Sequence, residues 1–371
     1  MKYLALVLIL TTTLTAKAQE MYESARSIRS LGMGGMYIPI VRDADALFYN
    51  PAALNRLEGL NILLGSIGVG TNSIDEQTLQ VLQGIDPNDP STFNDLFGER
   101  FWVNANGRAA IAMPHFGIGY FTDYSVSLEL HNPSFPEFDT YFANDSGFVV
   151  GTSFGIGPGS SVGINLKRLN RWGGYSQDLG LSTVVDGASM EEIGENFNRK
   201  GVGYGMDLAV MTEIPAPFSP TIAVVWQNVG DVAFTKTDGD DAPPHIPQNL
   251  SAGAAIGFDL PGLDWTFGVE GRHLLNNDVQ LGKKLHVGTE VSLPFIDVRA
   301  GLNQGYMSYG VGLNFLIFRL DAVSYVEELG VYPGQTADNR YMVGLTIDLS
   351  FDANFNFQDN NGKKRKLKQR R

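Results

Sequence analysis

The 371-residue chain contains no cysteine, which excludes disulfides, thiolate metal sites and thiol catalysis. Charge is scarce, at 18% of residues. Past the N-terminus no stretch approaches the roughly 18 to 20 uninterrupted apolar residues that a spanning helix needs, so a helical membrane bundle is excluded. Disorder fits badly, because 43% hydrophobic and 11% aromatic residues are enough to bury a large surface. Glycine is abundant at 43 residues without a collagen triplet, which points to close-packed strands and turns. The net charge of −13 is unevenly spread. Two leader lysines and seven Lys/Arg in the last nine residues account for nine of the 27 basic residues, leaving 18 against 40 acidic ones, a body of −22. A body this acidic lacks the cationic face that phosphate contacts need, so nucleic acid is not an expected partner.

Residues 1–18 read as a secretory signal peptide: Lys2, the apolar run Leu4 to Leu10, a Thr-rich stretch and Ala16-Lys17-Ala18 as the cleavage site. No cysteine follows to accept a lipid.

The clearest order beyond it is period-2 alternation in blocks of about ten residues, the length of a tilted transmembrane strand. In Tyr341 to Phe351 one face carries Tyr341, Val343, Leu345, Ile347, Leu349 and Phe351, and the other Met342, Gly344, Thr346, Asp348 and Ser350. Leu285 to Leu293 repeats the pattern. Strands are predicted at 60–70, 102–113, 115–130, 146–156, 160–169, 201–214, 220–229, 248–258, 264–274, 283–293, 295–303, 306–314, 316–326 and 340–351. The number is fourteen, even as in single-chain bacterial barrels. Predicted connections alternate as well, short and often Pro-containing after even strands (Pro114, Pro215-Ala216-Pro217, Pro294) and mostly long after odd ones (71–101, 131–145, 170–200, 230–247, 327–339). The links at 275–282 and 304–305 break the rule. The fold class expected is therefore all-β, a fourteen-stranded antiparallel transmembrane β-barrel in the outer membrane, both termini periplasmic. Residues 19–58 precede it, with a helix predicted at Ala44 to Phe48 capped by Asp43. Helical stretches are also predicted at 76–85 and 189–198. Residues 352–371 form a polar, then basic, periplasmic tail.

Gly32-Met33-Gly34-Gly35 and Asp43-Ala44-Asp45-Ala46-Leu47-Phe48-Tyr49-Asn50-Pro51-Ala52-Ala53-Leu54 resemble the N-terminal signature of the FadL-like outer-membrane family. The resemblance implies a fourteen-stranded barrel plugged by an N-terminal hatch, here 19–58, with the barrel at 59–351. It also implies passive uptake of small hydrophobic molecules of long-chain fatty acid or hydrocarbon type. The alternative is the role of the family's secretion and conjugal-transfer relatives, a non-transporting accessory barrel binding cargo or a partner. The partners implied are membrane lipid, the outer-membrane assembly machinery, and a hydrophobic small molecule or a secretion-system protein. In the motif, Gly32, Gly34 and Gly35 allow close backbone approach, while Pro51 stops the helix and biases Asn50 to an extended conformation ahead of Ala52. Strand 14 also resembles the C-terminal assembly signal of such barrels.

The inward faces of predicted strands 6 and 9 to 14 carry Asp207, Glu270, Arg272, His286, Glu290, Arg299, Arg319, Asp321 and Asp348. Such a network serves either as a polar gate or as structural pairing of groups too costly to leave alone, and the second weighs more. Asp123 interrupts the long third strand; the family resemblance makes it a candidate for a kink that opens the wall sideways, against an ordinary strand with Asp123 in the lumen. Loop positions Leu79, Leu82, Phe93, Leu96 and Phe97 suit ligand capture or a packed cap. Asp238-Gly239-Asp240-Asp241 lacks the full EF-hand spacing and reads as a solvated turn. There is no HExxH pair and no assembled catalytic triad, so neither enzyme activity nor a cofactor is expected.

Overall fold

The computed structural model describes residues 20–21, 23–73, 97–131, 137–180, 197–352 and 357–358. Their strands, in chain order, are β1 Gly59–Asn72, β2 Arg100–Met113, β3 Phe116–His131, β4 Glu137–Gly157, β5 Ser160–Gly180, β6 Arg199–Glu213, β7 Thr221–Gln227, β8 Phe234–Gly239, β9 Asn249–Leu260, β10 Leu263–Gly271, β11 Leu285–Ser292, β12 Ile296–Asn303, β13 Tyr306–Phe315, β14 Phe318–Glu328, β15 Ala337–Asp352 and β16 Phe357–Gln358. Each wall strand pairs antiparallel with the next, and β1 closes on β15 from Gly59↔Asp352 to Asn72↔Arg340. The result is a closed barrel of 14 strands. Among the described residues β8 pairs with β6 alone and stands outside the ring, while β16 adds two residues to the edge of β15.

The period-2 reading is realised in burial. On β15, Tyr341 and Val343 are about half exposed whereas Met342 and Thr346 are buried. The outward face is a mostly apolar band, and the inward face carries most of the polar residues, as lipid outside and a filled lumen require. Aromatic rings mark the lower edge of the band: Phe218, Phe258 and Trp265 pack at centroid distances of 4.6 and 5.1 Å.

Several boundaries differ from the sequence expectation. Within the predicted connections 131–145 and 170–200, residues 137–145 and 170–180 are strand, because β4 and β5 each run for 21 residues and rise past the apolar band. The extensions carry polar and glycine residues such as Asn144, Asp145, Arg171, Gly173 and Gly174, so hydropathy no longer alternates and they leave no apolar signature. The predicted loop 230–247 contains β8. The link 304–305 is a genuine two-residue hairpin, with Gln304 at φ 53° and Gly305 at φ 90°, the left-handed pair of a type I′ turn. The exceptional link 275–282 follows β10 and runs into a short helix, Leu281–Lys284. The helix predicted at 76–85, the helix predicted at 189–198 up to residue 196, and Leu79, Leu82, Phe93 and Leu96 fall outside the described residues. Phe97 bridges to Leu130.

Residues 23–57 run inside the barrel. They form α1 Ile28–Gly32, α2 Ala46–Tyr49 and a 3₁₀ helix Pro51–Arg56. The predicted cap is shifted by two residues. Asp43 accepts from the Asp45 amide at 2.9 Å, and α2 starts after Asp45, whose own carboxylate is drawn to Arg108. Asn50 is extended at φ −153°, and Pro51 opens the 3₁₀ turn at the position where a missing N–H costs least. The segment enters β1 at the short-turn end, yet Glu20 lies at the opposite end of the lumen, paired with Arg340 near the top of β15.

Candidate functional site

The lumen has two chemically distinct halves. Along β2–β7 an apolar cluster sits beside a few separate charged pairs: Leu47, Phe48 and Leu54 of the internal segment cluster with Phe121, Val149, Leu169, Met211 and Val225. Along β10–β15 it is charged. Backbone groups that the short helices leave open are met from the wall, Ser161 Oγ donating to Ala52 O at 2.8 Å and Asn165 Nδ2 to Leu47 O at 2.8 Å.

Arg299 is the centre of the charged half. Its guanidinium donates to Glu290 at 2.6 Å, Asp321 at 2.6 Å and Asp297 at 3.0 Å. Arg319 adds a second cation on Asp321 at 2.9 Å, and Asn314 a neutral donor on Asp297 at 2.7 Å. Glu290 is the bridge to the interior: Arg29 of α1 donates to both its oxygens, at 2.5 and 2.9 Å. A second node is Glu270, which accepts the amides of Tyr37 and Ile38 at 2.7 and 3.0 Å and Arg272 at 2.7 Å. Arg272 also reaches Glu23 and the Gly35 carbonyl. These carboxylates hold orphaned backbone N–H groups as well as cations, so the pairing fixes a chain path and not only a charge balance.

The nine inward residues therefore do not form one network. Glu290, Arg299, Arg319 and Asp321 meet; Glu270 and Arg272 form the separate node. His286 Nδ1 contacts Gly34 O at 2.7 Å. Asp207 lies across the lumen with Lys167 at 2.6 Å and the Asn228 amide at 2.9 Å. Asp348 lines a small cavity with Asp43, Asp45, Arg108 and Arg319, and its Oδ1 has no hydrogen-bond partner among the described residues. Asp123 makes no kink. β3 pairs with β2 and β4 without a register shift through Asn106↔Asp123↔Asp145, and the Asp123 carboxylate faces the lumen, accepting the Ala25 amide at 3.2 Å and Asn104 at 2.8 Å. Two strong internal hydrogen-bond partners satisfy it without breaking the ladder. Asp238 pairs with Lys200 at 3.0 Å, and no group of metal-binding side chains occurs among the described residues.

Sequence reasoning passed over Arg29, Asp45, Arg108 and the upper ties. Arg108 donates to Asp45 at 2.7 Å, both buried. Arg26 reaches Glu327 at 3.1 Å, and Arg340 grips Glu20 at 2.7 and 3.0 Å. Burial alone would raise the Glu20 carboxyl, but the Arg340 charge outweighs it and lowers the group to about 2. Burial, followed by the neighbouring Asp45 charge, raises Asp43.

The motif residues sit where wall and segment touch backbone to backbone. Asn50 is fully buried; its Nδ2 donates to Ile38 O at 2.9 Å and its Oδ1 accepts the Ala52 amide at 3.1 Å. Gly34 takes φ +65° and a Cβ there would meet Leu302 O at 2.5 Å. On the wall, a Cβ at Gly163 would run into the backbone of Pro51 and Ala52. Gly163→Val is expected to leave the wall intact and weaken docking of the 3₁₀ helix by about 1–3 kcal/mol. Trypsin cutting after Arg42 or Arg56 in the folded barrel would report it, and cutting no faster than in the wild type would refute it.

No family model matches the chain, and no curated protein matches it. Solved structures do. The toluene transporter TodX of Pseudomonas putida aligns with a TM-score of 0.51 at 12% identity, covering 89% of this chain and 98% of its own. The monoaromatic hydrocarbon channel CymD aligns with a TM-score of 0.52 at 11% identity, covering 87% and 97%. This chain has their fold. At such identities the likeness speaks for the backbone arrangement, and the chemistry of the lumen rests on the residues above.

A cavity of about 190 Å³ opens at the short-turn end beneath α1. Arg29, Arg42, Asp43, Asp259, Asp264 and Glu290 line it.

Proposed function

We propose that the protein is an outer-membrane channel for passive passage of small hydrophobic molecules, of fatty acid or hydrocarbon type, with residues 19–58 acting as its hatch. In this reading the short turns are periplasmic, β1 enters and β15 leaves on that side, and the long connections face outward. The observation that carries it is the internal segment itself: it occupies the lumen of a closed barrel, held by side-chain contacts that can be exchanged one at a time. The fold shared with channels named for toluene and monoaromatic hydrocarbons supports the same reading. Glu290 and Glu270 are the hinge points, because each joins a wall arginine to the segment.

A second reading, a non-transporting accessory barrel that binds cargo or a secretion-system partner, draws on the cavity at the short-turn end. Its lining is charged, which suits a polar partner better than a hydrocarbon. Purification in mild detergent followed by mass spectrometry of bound lipids and proteins separates the two. Channel function predicts a fatty acid or hydrocarbon retained near one per barrel, whereas a recurrent protein partner with an empty barrel would overturn it.

A further inference from the structure

The outward face of β3–β6 departs from the apolar band in a way the channel reading does not use. Cross-strand register orders it in rows. Ile118, Val150 and Leu166 lie side by side, all exposed and apolar. In the next row upward come Tyr120, Phe148, Arg168 and Tyr204. Above them Ser146 pairs with Asn170, and above those Trp172 pairs with Lys200. Arg168 is exposed, and its guanidinium has no acceptor among the described residues. Lys200 lies 5.5 Å from the Trp172 ring centre and shares its charge with the well-exposed Asp238.

Arg168 stands eight residues above Ser160, the lower end of β5. With about 3.3 Å per residue and a tilt near 40°, that is about 20 Å up the wall, close to the upper edge of an apolar band about 25 Å tall. The aromatic row confirms the level, since such rings collect at the membrane–water boundary. An unpaired arginine facing lipid there is unfavourable unless an anion meets it, and a phosphate matches its planar fork with two parallel hydrogen bonds. Ser146 and Asn170 add neutral donors on the water side.

We propose that this face binds the phosphate of a phosphorylated glycolipid in the outer leaflet, with Arg168 as the principal ligand, Lys200 as the second cation, and the Tyr120–Phe148–Tyr204 row against the acyl chains. The inference rests on the orientation given above, with the long connections outward. A free phosphate ion would use the cations but leave the aromatic row without a role.

The test is native mass spectrometry of the full-length protein in neutral detergent, titrated with diphosphoryl lipid A, its dephosphorylated form, and inorganic phosphate. The expected result is one diphosphoryl lipid per barrel, roughly fivefold weaker retention for Arg168→Gln, and a further loss of similar size for Arg168→Gln with Lys200→Gln. Equal retention of both lipid forms, equal retention by the variants, or displacement by millimolar phosphate would each overturn it. Heat-modifiable electrophoretic mobility checks that the variants are folded. Orientation is tested separately: the chain has no cysteine, so Tyr332→Cys can be labelled by a membrane-impermeant maleimide on intact cells only if that end faces outward. Solute flux measured with the same variants keeps a failure of the channel reading distinct.

Discussion

Replacing Arg299 with methionine is expected to cost the barrel about 3–5 kcal/mol of stability, because it strips the shared cation from buried carboxylates. The side chain is 1% exposed and contacts Glu290, Asp297 and Asp321 at once. Methionine fills much of the volume but none of the charge. Arg29 remains on Glu290 and Arg319 on Asp321, while Asp297 keeps only the amide of Asn314. Three carboxylates then share two cations in a water-poor space. Urea titration of barrels refolded into vesicles, read by electrophoretic mobility, measures the loss. Wild-type stability combined with altered solute flux would show that Arg299 gates the lumen and does not hold the wall together. Arg29→Met is the companion variant: it breaks the same node from the interior side, leaves Arg299 on Glu290, and should loosen α1 with a much smaller effect on the wall.

The other large effect is expected from deleting residues 20–57 behind an intact signal peptide. The segment contributes Tyr37, Met33, Met36, Leu47 and Leu54, which are among the largest fully buried side chains. Without it the lumen is bounded by polar and glycine-rich inward faces and fills with water, as in open porin-type barrels. In planar bilayers the full-length protein should pass little current, and the deletion variant should conduct on the order of tenfold more or above. Equal conductance would mean that the long connections, and not the segment, close the path. Folding yield should fall as well, since Glu270, Glu290 and Asp45's partner Arg108 lose their interior ligands.

Legibility in the sequence followed the solvent on each side of a strand. Where lipid faces one side and the lumen the other, as at Tyr341 to Phe351, alternation located the strand closely. It failed at the upper parts of β4 and β5 and at β8, where polar and glycine residues such as Asn144, Asp145, Gly173 and Gly174 interrupt the alternation and read as loop. The inward polar residues were legible by the same parity, and Glu290, Arg299 and Asp321 were rightly placed on one face. Their partners were not. Arg29 and Asp45 belong to an aperiodic segment in which no spacing says which wall strand each will meet. At Asp123 the family resemblance offered a kink and the residues an ordinary strand with a lumen carboxylate; the ladder is regular and the carboxylate accepts the amide of Ala25. Gly163 could have been suspected, because a glycine at an inward position of a regular strand is where another backbone comes close.

The tie between Glu20 and Arg340 spans 320 residues of chain. Because β15 is the last wall strand to be made and β1 the first, the seam between them can close only when the whole sheet has curled. The internal segment is tethered to β1 and must already lie in the curl at that moment, since its backbone touches Gly163 and Gly301 on opposite sides. Arrival of β15 then brings Arg340 to a waiting Glu20, a latch that is complete only in a correctly loaded barrel. Assembly thus acquires an order, filling before sealing, and a segment supplied as a separate peptide to a sealed barrel would have to thread in from one end.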